Sequence, residues 1–267
     1  MAKDVFCYIG TSGWHYEHWK GPFYPKDFSE KGFLSFYSNH FNSVEINNSF
    51  YKLPDKNTLK RWRRTVRDDF IFAVKASRYI THMKNLKEPQ KSLTNFLSTI
   101  SNLRDKLGPI LFQLPPNWHV NPKRLRAFLA ELPDGQCYTF EFRDKTWFNK
   151  DVYNLLSEYN AAFCIYDLKG KISPETITAD FVYIRLHGPS EVAYQGSYSK
   201  WQLNRWAKKL QAWMNEGKDV YCFFDNDQRG FAVKNALTLQ DIVDSQTEMP
   251  IHDSDDKADI LKLNQYF

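Results

Sequence analysis

The sequence of 267 residues lacks the features that mark membrane, secreted and zinc-binding proteins. No apolar run reaches the ~20 residues of a membrane-spanning helix, and the first residues, MAKDVFCYIG, contain no charged-then-apolar leader. The four cysteines lie in apolar, strand-like runs, and no two stand at metal-ligand spacing. We therefore expect a soluble, cytoplasmic protein without a membrane partner, whose thiols are buried and reduced. These thiols are Cys7, Cys137, Cys164 and Cys222.

A glycine-rich phosphate loop is also absent where a dinucleotide-binding fold needs one. The first predicted strand ends in Gly10-Thr11-Ser12-Gly13, which is too short for the G-x-G-x-x-G pattern. This argues against a doubly wound open sheet, which is the second choice of fold. We expect no organic cofactor. The net charge of +5 is mildly basic, so it permits an anionic substrate or nucleic acid but requires neither.

Apolar strand-like segments alternate with amphipathic helical segments about eight times along the chain. The predicted strands are 6–10, 44–47, 70–76, 110–114, 138–142, 162–166, 181–186 and 220–224. The predicted helices are 32–40, 55–67 with Asp55 as N-cap, 89–107, 122–132, 151–159, 199–215 and 231–243. Such alternation predicts a parallel sheet, and this length favours one α/β domain, a single (β/α)8 barrel of the TIM type. We assign residues 1–246 to the barrel domain and 247–267 to a polar C-terminal tail.

Two connections depart from a regular alternation. Between strands six and seven the chain is short and holds only a turn near Pro174. After the first strand, by contrast, a long aromatic loop follows, and long ordered loops are often functional. Its rings either stack on a sugar or base, or close one end of the domain. The rings are Trp14, Tyr16, Trp19, Phe23 and Tyr24.

The second predicted strand carries a carboxylate that a closed barrel turns inward. Successive side chains on a strand point to opposite faces, so Val44 and Ile46 share one face while Glu45 and Asn47 share the other. A carboxylate directed into a barrel needs compensating partners or a ligand. The strand therefore points to a pocket.

Polar side chains recur at the carboxyl ends of the other strands, where barrel enzymes carry their active sites. The catalytic candidates are Glu45, Lys75, Glu141 and His187. The ligand-binding candidates are Trp14, Asn47, Tyr51, Gln113, Arg143, Arg185, Tyr194, Asn226 and Asp227. Asp167, His82 and Trp147 lie at or just beyond strand ends too. The competing interpretation is a buried ion-pair lattice, but such a lattice is costly relative to apolar filling, so we favour a ligand site.

A set of short motifs covers nearly the whole chain, from Tyr8 to Val243. They include Gly10-Thr11-Ser12-Gly13-Trp14, Val44-Glu45-Ile46-Asn47, Phe72-Ala73-Val74-Lys75, Gln113-Leu114-Pro115-Pro116 and Tyr183-Ile184-Arg185-Leu186-His187-Gly188. Together they resemble the family called domain of unknown function 72. The resemblance implies a TIM-barrel fold and carries over no catalytic roles. Asp225 departs from the family pattern, in which we expect Asn, and adds a negative charge near the end of strand eight.

Acid/base chemistry of the hydrolase or lyase type on a small anionic, sugar-like or phosphorylated substrate fits this cluster best. Lys75 and the two arginines, Arg143 and Arg185, would hold the anion. One of the two glutamates would act as general base and His187 as general acid.

Three other chemistries and one binding function compete with it. Glycoside hydrolysis needs two carboxylates, but the cluster holds more basic groups than that reaction uses. A Schiff base at Lys75 needs a desolvated amine, whereas two nearby carboxylates would keep it charged. A multi-metal site like that of endonuclease IV needs several histidine ligands, and only His82 and His187 lie near strand ends. Binding of one Mg²⁺ or Mn²⁺ by carboxylates is a further alternative. Nucleic-acid binding through basic residues and loop aromatics is the non-enzyme alternative.

Overall fold

Eight parallel strands form a nearly closed barrel in a computed structural model, which describes residues 4–247. The described strands are β1 (Cys7–Thr11), β2 (Ser43–Ile46), β3 (Ile71–Lys75), β4 (Leu107–Gln113), β5 (Tyr138–Glu141), β6 (Ala162–Leu168), β7 (Lys171–Ile172), β8 (Phe181–Leu186) and β9 (Asp219–Phe224). Their order around the barrel is β1-β9-β8-β6-β5-β4-β3-β2, with β7 outside this path. The ring closes where the N–H of Gly13, after β1, donates to the backbone oxygen of Glu45 at 2.9 Å. The predicted TIM-type barrel is confirmed.

Amphipathic helices cover the outside of the barrel. They are α1 (Phe33–Ser38), α2 (Lys56–Thr65), α3 (Pro89–Ile100), α4 (Pro122–Leu129), α5 (Lys150–Glu158), α6 (Lys200–Asn215) and α7 (Phe231–Thr247). Asp55 caps α2 as predicted, because its carboxylate accepts hydrogen bonds from the N–H groups of Asn57 and Thr58. Within the described chain no helix lies between β6 and β8. The short strand β7 pairs antiparallel with β6 there, which confirms the predicted short connection.

The third helix ends earlier than predicted. Instead of running to residue 107, α3 stops at Ile100 and a 3₁₀ segment follows, in which Arg104 has a positive φ of 53°. Gly108 lies inside β4, where a Cβ atom would come within 2.3 Å of Cγ2 of Ile71 on β3. This glycine therefore permits two strands to approach, and the predicted end of the helix at residue 107 was wrong. The predicted tail, from residue 248 onward, lies outside the described residues.

Two apolar layers hold the barrel together. One lies between the strands and the surrounding helices, and the other fills the barrel interior below the carboxyl ends. The interior layer contains Ala73, Leu111, Ala162, Cys164, Tyr183, Tyr221 and Phe223. Cys164 and Cys222 are fully buried, and burial raises the pKa of both thiols well above the usual value, which keeps them protonated. No helix among residues 4–247 is both long and apolar enough to span a membrane.

The aromatic loop after β1 packs into the molecule. Trp19 and Tyr24 are completely buried, and the ring of Tyr24 stacks on Phe33 of α1 with centroids 3.9 Å apart. Trp14 is buried as well and meets Trp62 of α2 edge-on. The rings of Trp19 and Tyr24 have no free face for a base or sugar, so this part of the loop closes the β1–β2 side of the domain.

Candidate active site

Four strands turn inward-facing charged side chains toward one another at the carboxyl mouth of the barrel. Glu45 comes from β2, Lys75 from β3, Glu141 from β5 and Arg185 from β8. The predicted inward orientation of Glu45 is confirmed, since its side chain is fully buried and bonds across the barrel to β8. Together with Arg143, His187 and Asp225, which follow the ends of their strands, these side chains form a charged layer directly above the apolar interior.

Arg185 lies at the centre of this layer and uses all five N–H groups of its guanidinium. Nε and Nη2 donate to Oε1 of Glu45 at 3.2 and 2.8 Å, and Nη1 donates to Oε2 of Glu141 at 2.8 Å. Nη2 also donates to Oδ2 of Asp225 at 3.1 Å, and Nη1 lies 3.4 Å from Nε2 of His187. Burial alone would lower the pKa of Arg185, but the three carboxylates raise it well above its usual value. No N–H of Arg185 is left for a ligand.

Glu45 is as fully engaged as Arg185. Besides the guanidinium, Oε1 accepts a hydrogen bond from the hydroxyl of Ser12 at 2.6 Å. Oε2 accepts one from the hydroxyl of Tyr183 at 2.7 Å. Because Ser12 follows β1 and Tyr183 belongs to β8, this single carboxylate connects three strands. Its partners fix its orientation inside the barrel.

Glu141 binds both arginines of the layer. Oε1 accepts from Nε of Arg143, while Oε2 accepts from Arg185. Burial alone would raise the pKa of Glu141, but the positive charges of Arg143 and Arg185 outweigh it and hold the pKa below the usual range. The carboxylate is therefore ionised and compensated at neutral pH.

His187 is fully buried, and its contacts define its tautomer. Nε2 lies 3.0 Å from Nη2 of Arg143, which can only donate, so Nε2 carries the lone pair. Nδ1 lies 3.1 Å from Oδ2 of Asp225 and therefore donates. Burial and the charge of Arg185 lower the pKa of His187. The neutral ring thus connects Arg143 to Asp225 within the layer.

Lys75 differs from every other cation of the layer. Within residues 4–247 its Nζ forms no hydrogen bond and no ion pair, and it lies 4.4 Å from the ring centroid of Phe50. Burial and the charge of Arg185 lower the pKa of Lys75 to about 8, although Glu141 and Glu45 act in the opposite direction. The amine is therefore partly neutral near physiological pH.

Three cations act on His82 at the mouth next to Lys75. His82 lies in the helical turn Tyr79–Met83 after β3, with its ring edge-on to Phe50 at 5.0 Å. Burial and the charges of Lys75, Arg78 and Arg143 lower the pKa of His82 to about 4, although Glu141 acts in the opposite direction. We call Lys75, Arg78 and Arg143, whose charges all act on His82, the cationic sector. Arg143, whose guanidinium also lies 4.9 Å from the ring centroid of Tyr166, connects this sector to the charged layer.

Three predicted residues belong to the loops after β8 and β9. Tyr194 is half-exposed, and its ring meets His187 edge-on at 5.4 Å. Asp227 accepts hydrogen bonds from Nε1 of Trp19 at 2.7 Å and lies 2.9 Å from Nε2 of His18. Asn226 is completely buried and donates to the backbone oxygen of Gly196, so it holds the loop after β8 in place.

Trp14 and Asn47 lie beside the charged layer rather than on it. Both line a cavity of about 830 Å³ between the loops after β1 and β2, α1 and α2. Lys31 and Arg61 lie at this cavity as well. Oδ1 of Asn47 is buried without a hydrogen-bond partner. This cavity therefore lies beside the mouth, and neither Arg185 nor Lys75 lines it.

The remaining predicted residues have different surroundings. Tyr51 is 76% exposed on the surface, and Gln113 pairs in register with Glu141 at the end of β4. Asp167, predicted to lie at a strand end, faces outward, where it interacts with Tyr198 near α6. Its position in β6 explains this orientation, because the even-numbered residues of that strand face the barrel interior. Trp147 is buried in the outer core and donates to the backbone oxygen of Trp118.

The described residues contain no group of three or more histidine, cysteine or carboxylate side chains arranged to hold a metal ion. Each carboxylate of the charged layer accepts hydrogen bonds from arginine instead. The clustered acidic residues are therefore organised around guanidinium groups.

Sequence analysis missed three members of the cluster as site residues. Ser12 and Tyr183 bond to Glu45, and Asp225 bonds to Arg185 and His187. Strand parity could have identified Tyr183, which shares the inward face of β8 with Arg185. Asp225 was noted as a departure from a family pattern but not as a partner of the buried arginine. For Ser12 no comparable signal exists, because its contact depends on the closure of the barrel.

Comparison with known proteins gives a consistent result. The family profile described as "Protein of unknown function DUF72" matches residues 8–259. The UPF0759 protein YunF of Bacillus subtilis (strain 168) is 27% identical over 276 residues, which cover 89% of this chain and 94% of that protein. The UPF0759 protein YecE of Escherichia coli (strain K12) is 33% identical over 148 residues, about half of each chain (54% and 50%).

Solved structures of the same family share the barrel. A DUF72 family protein from Thermotoga maritima MSB8 aligns with a TM-score of 0.82 and 27% identity, covering 90% of this chain and 99% of that one. A DUF72 family protein from Enterococcus faecalis V583 aligns with a TM-score of 0.77, covering 90% and 96%, and at 19% identity it supports the fold alone. The profile match over nearly the whole chain decides the assignment: this protein belongs to the DUF72 family.

Proposed function

We propose that the carboxyl mouth of the barrel is the active site of an enzyme that performs acid/base chemistry, of the hydrolase or lyase type, on a small anionic substrate. The observation that carries this proposal is the cationic sector. Lys75, Arg78 and Arg143 act together on His82, while the carboxylates of the charged layer are already compensated by Arg185. Arg143 is paired with Glu141, whereas Lys75 and Arg78 have no carboxylate partner within the described residues. Such unpaired positive charge at a strand-end mouth suits a phosphate or carboxylate group.

The roles of the predicted catalytic residues follow from their contacts. Glu45 and Glu141 each accept several hydrogen bonds inside the barrel, and His187 has both ring nitrogens engaged. We assign these three residues to positioning, because they hold Arg143 and the layer in place. Lys75 is the group of the mouth whose amine exists in both protonation states near neutral pH, which suits general acid/base work.

A thermal-shift screen tests the site. The panel contains inorganic phosphate, sugar phosphates, small carboxylates, nucleotides, short single-stranded oligonucleotides and divalent metals. A ligand present at a hundred times its dissociation constant stabilises a protein by about 2.7 kcal/mol, a readily measured shift. We expect a small anion to stabilise the wild type and to lose this effect in Lys75→Met.

The matched control is Lys60→Met, because Lys60 is exposed on α2, away from the charged layer. It should respond to the anion like the wild type. An anion that stabilises wild type and Lys75→Met equally would move the site away from the mouth. Stabilisation by oligonucleotides alone would replace the enzyme with a nucleic-acid-binding protein.

A further inference from the structure

Lys75 has the surroundings of a nucleophile. Its side chain points into the mouth from the end of β3, and within residues 4–247 no carboxylate pairs with its Nζ. A buried lysine that serves only the fold is usually paired with a carboxylate, which holds its proton. Lys106 shows the contrast, since this buried lysine lies 3.7 and 3.9 Å from the carboxylates of Asp105 and Asp68.

The carboxylates near Lys75 are committed to other donors. Glu45 accepts from Arg185, Ser12 and Tyr183, and Glu141 accepts from both arginines. Sequence analysis counted these two glutamates as an obstacle to imine chemistry, because they would keep Lys75 protonated. In the folded barrel the two guanidinium groups compensate their charge, and burial disfavours the ammonium form of Lys75. Glu141 and Glu45 still raise the pKa of Lys75, but burial and the charge of Arg185 outweigh them, so the obstacle is reduced.

We propose that Lys75 forms an imine with the carbonyl group of a small anionic aldehyde or ketone. This inference rests on the proposed function for the location of the site and names its substrate class. The anionic group of the substrate would lie in the cationic sector, near Arg78 and Arg143. The carbonyl carbon would then lie at Nζ of Lys75.

The step balances without an oxidant, a metal or an organic cofactor. The lone pair of Nζ attacks the carbonyl carbon, and the carbonyl oxygen takes up a proton to give a carbinolamine. The nitrogen loses a proton, and the hydroxyl group takes up a second proton from solvent and leaves as water. The nitrogen lone pair then forms the C=N bond of a protonated imine. Hydrolysis reverses the sequence and frees the amine. The iminium form would place its positive charge next to the face of Phe50, where Nζ lies now.

The residues around Lys75 also suit the iminium ion. The neutral ring of His82 adds no charge that would repel an iminium ion, because its pKa is lowered to about 4. Glu141, Glu45 and Asp225 contribute a negative potential at Lys75, which opposes the effect of burial and supports the iminium ion. The site can therefore activate the carbonyl carbon for cleavage or proton loss at the adjacent atom.

Reductive trapping tests the proposal directly. The wild type is incubated with glyoxylate, an anionic aldehyde, and sodium cyanoborohydride, and modified lysines are mapped by peptide mass spectrometry. We expect Lys75 to be modified at least about tenfold faster than exposed lysines such as Lys60, because a lower pKa gives a larger neutral fraction at pH 7. Propionaldehyde, which carries no charge, should keep the part of this preference that comes from the larger neutral fraction of Lys75 and lose the part that comes from binding of the carboxylate in the cationic sector.

A conservative variant separates this inference from the proposed function. Lys75→Arg keeps the charge and removes the nucleophile, so it should retain stabilisation by inorganic phosphate and lose the trapped adduct. Phosphate stabilisation of the wild type without preferential trapping at Lys75 would overturn the imine step and leave the anion site standing. Equal labelling of Lys75 and surface lysines, with no stabilisation by any anion, would overturn both.

Discussion

Arg185 and Lys75 are two cations in one barrel mouth with opposite surroundings. In the strand order, β8 and β3 lie on opposite sides of the ring. Arg185 is 1% exposed and bonds to three carboxylates, whereas Lys75 contacts an aromatic ring and no carboxylate of the described chain. The same type of charge thus serves two purposes. On the β8 side of the mouth, the charge of Arg185 is fully paired and holds the strands together. On the β3 side, the amine of Lys75 is unpaired and available to a ligand.

The comparison also separates stability from chemistry. A buried charge with all its partners is expensive to disturb, because its removal leaves the partners uncompensated in a region of low dielectric constant. A partly buried charge without partners destabilises the fold slightly and is retained at functional sites. Three substitutions test this division.

Arg185→Met should have the largest effect. It leaves the carboxylates of Glu45, Glu141 and Asp225 buried without their common donor. We expect the free energy of unfolding to fall by about 3–5 kcal/mol, as is typical when one partner of a buried ion pair is removed. Urea unfolding followed by circular dichroism measures the loss.

Arg126→Met is the matched control for that variant. Arg126 forms two hydrogen bonds, at 2.6 and 3.2 Å, to the carboxylate of Glu158 on the surface. Because both side chains are about half exposed, the urea midpoint should change little. Similar midpoints for the two variants would mean that the charged layer contributes no more than a surface ion pair.

Lys75→Met should leave the unfolding free energy within about 1 kcal/mol of the wild type at pH 7, or raise it. The folded-state pKa of Lys75 is about 8 and its ordinary value is 10.5, so the unfolded chain binds more protons between these values. The penalty for the charged amine is complete below pH 8 and disappears toward pH 10.5. The wild type should therefore gain stability relative to Lys75→Met as the pH rises through this window. A constant difference between pH 7 and pH 10 would show that Lys75 titrates normally.

Asp227→Asn should have the smallest effect and a characteristic pH dependence. Burial raises the pKa of Asp227 to about 6 from the ordinary 3.8, although Trp19 and His18 oppose this. The folded protein binds more protons than the unfolded chain between pH 4 and pH 6, so the wild type loses stability as the pH rises. We expect the variant to gain about 1 kcal/mol relative to the wild type between pH 4 and pH 7, reduced by partial exposure. Parallel urea midpoints across this range would contradict the raised pKa.

Much of the fold could be predicted from the sequence, because the barrel repeats a local pattern. Eight strands and the cap at Asp55 follow from alternation of apolar segments and from a short-range capping signal. The boundary of α3 was missed because Gly108 signals both a helix stop and a close approach of strands. Only the position of Ile71 on the neighbouring strand distinguishes the two.

The candidate site was predicted less completely, for a physical reason. Strand parity identified Glu45, Glu141 and Arg185 as residues of one mouth, and the structure brings them into contact. Strand parity gives no information on how many hydrogen bonds each carboxylate accepts. For that reason the sequence could not show that Arg185 is saturated while Lys75 is left without a carboxylate. This difference depends on distances across the barrel.

The closure of the barrel has a consequence for the order of folding. Glu45 accepts the N–H of Gly13 through its backbone and binds Arg185, 140 residues further along the chain, through its side chain. Contacts so distant in sequence are slow to form, because the intervening chain must be organised first. The β1–β2 seam and the charged layer should therefore form together as a late kinetic step, after β8 has joined the ring. A nascent chain in which β8 has not yet been synthesised would expose Glu45 to water. The mouth of the barrel and its final closure would therefore form in the same step.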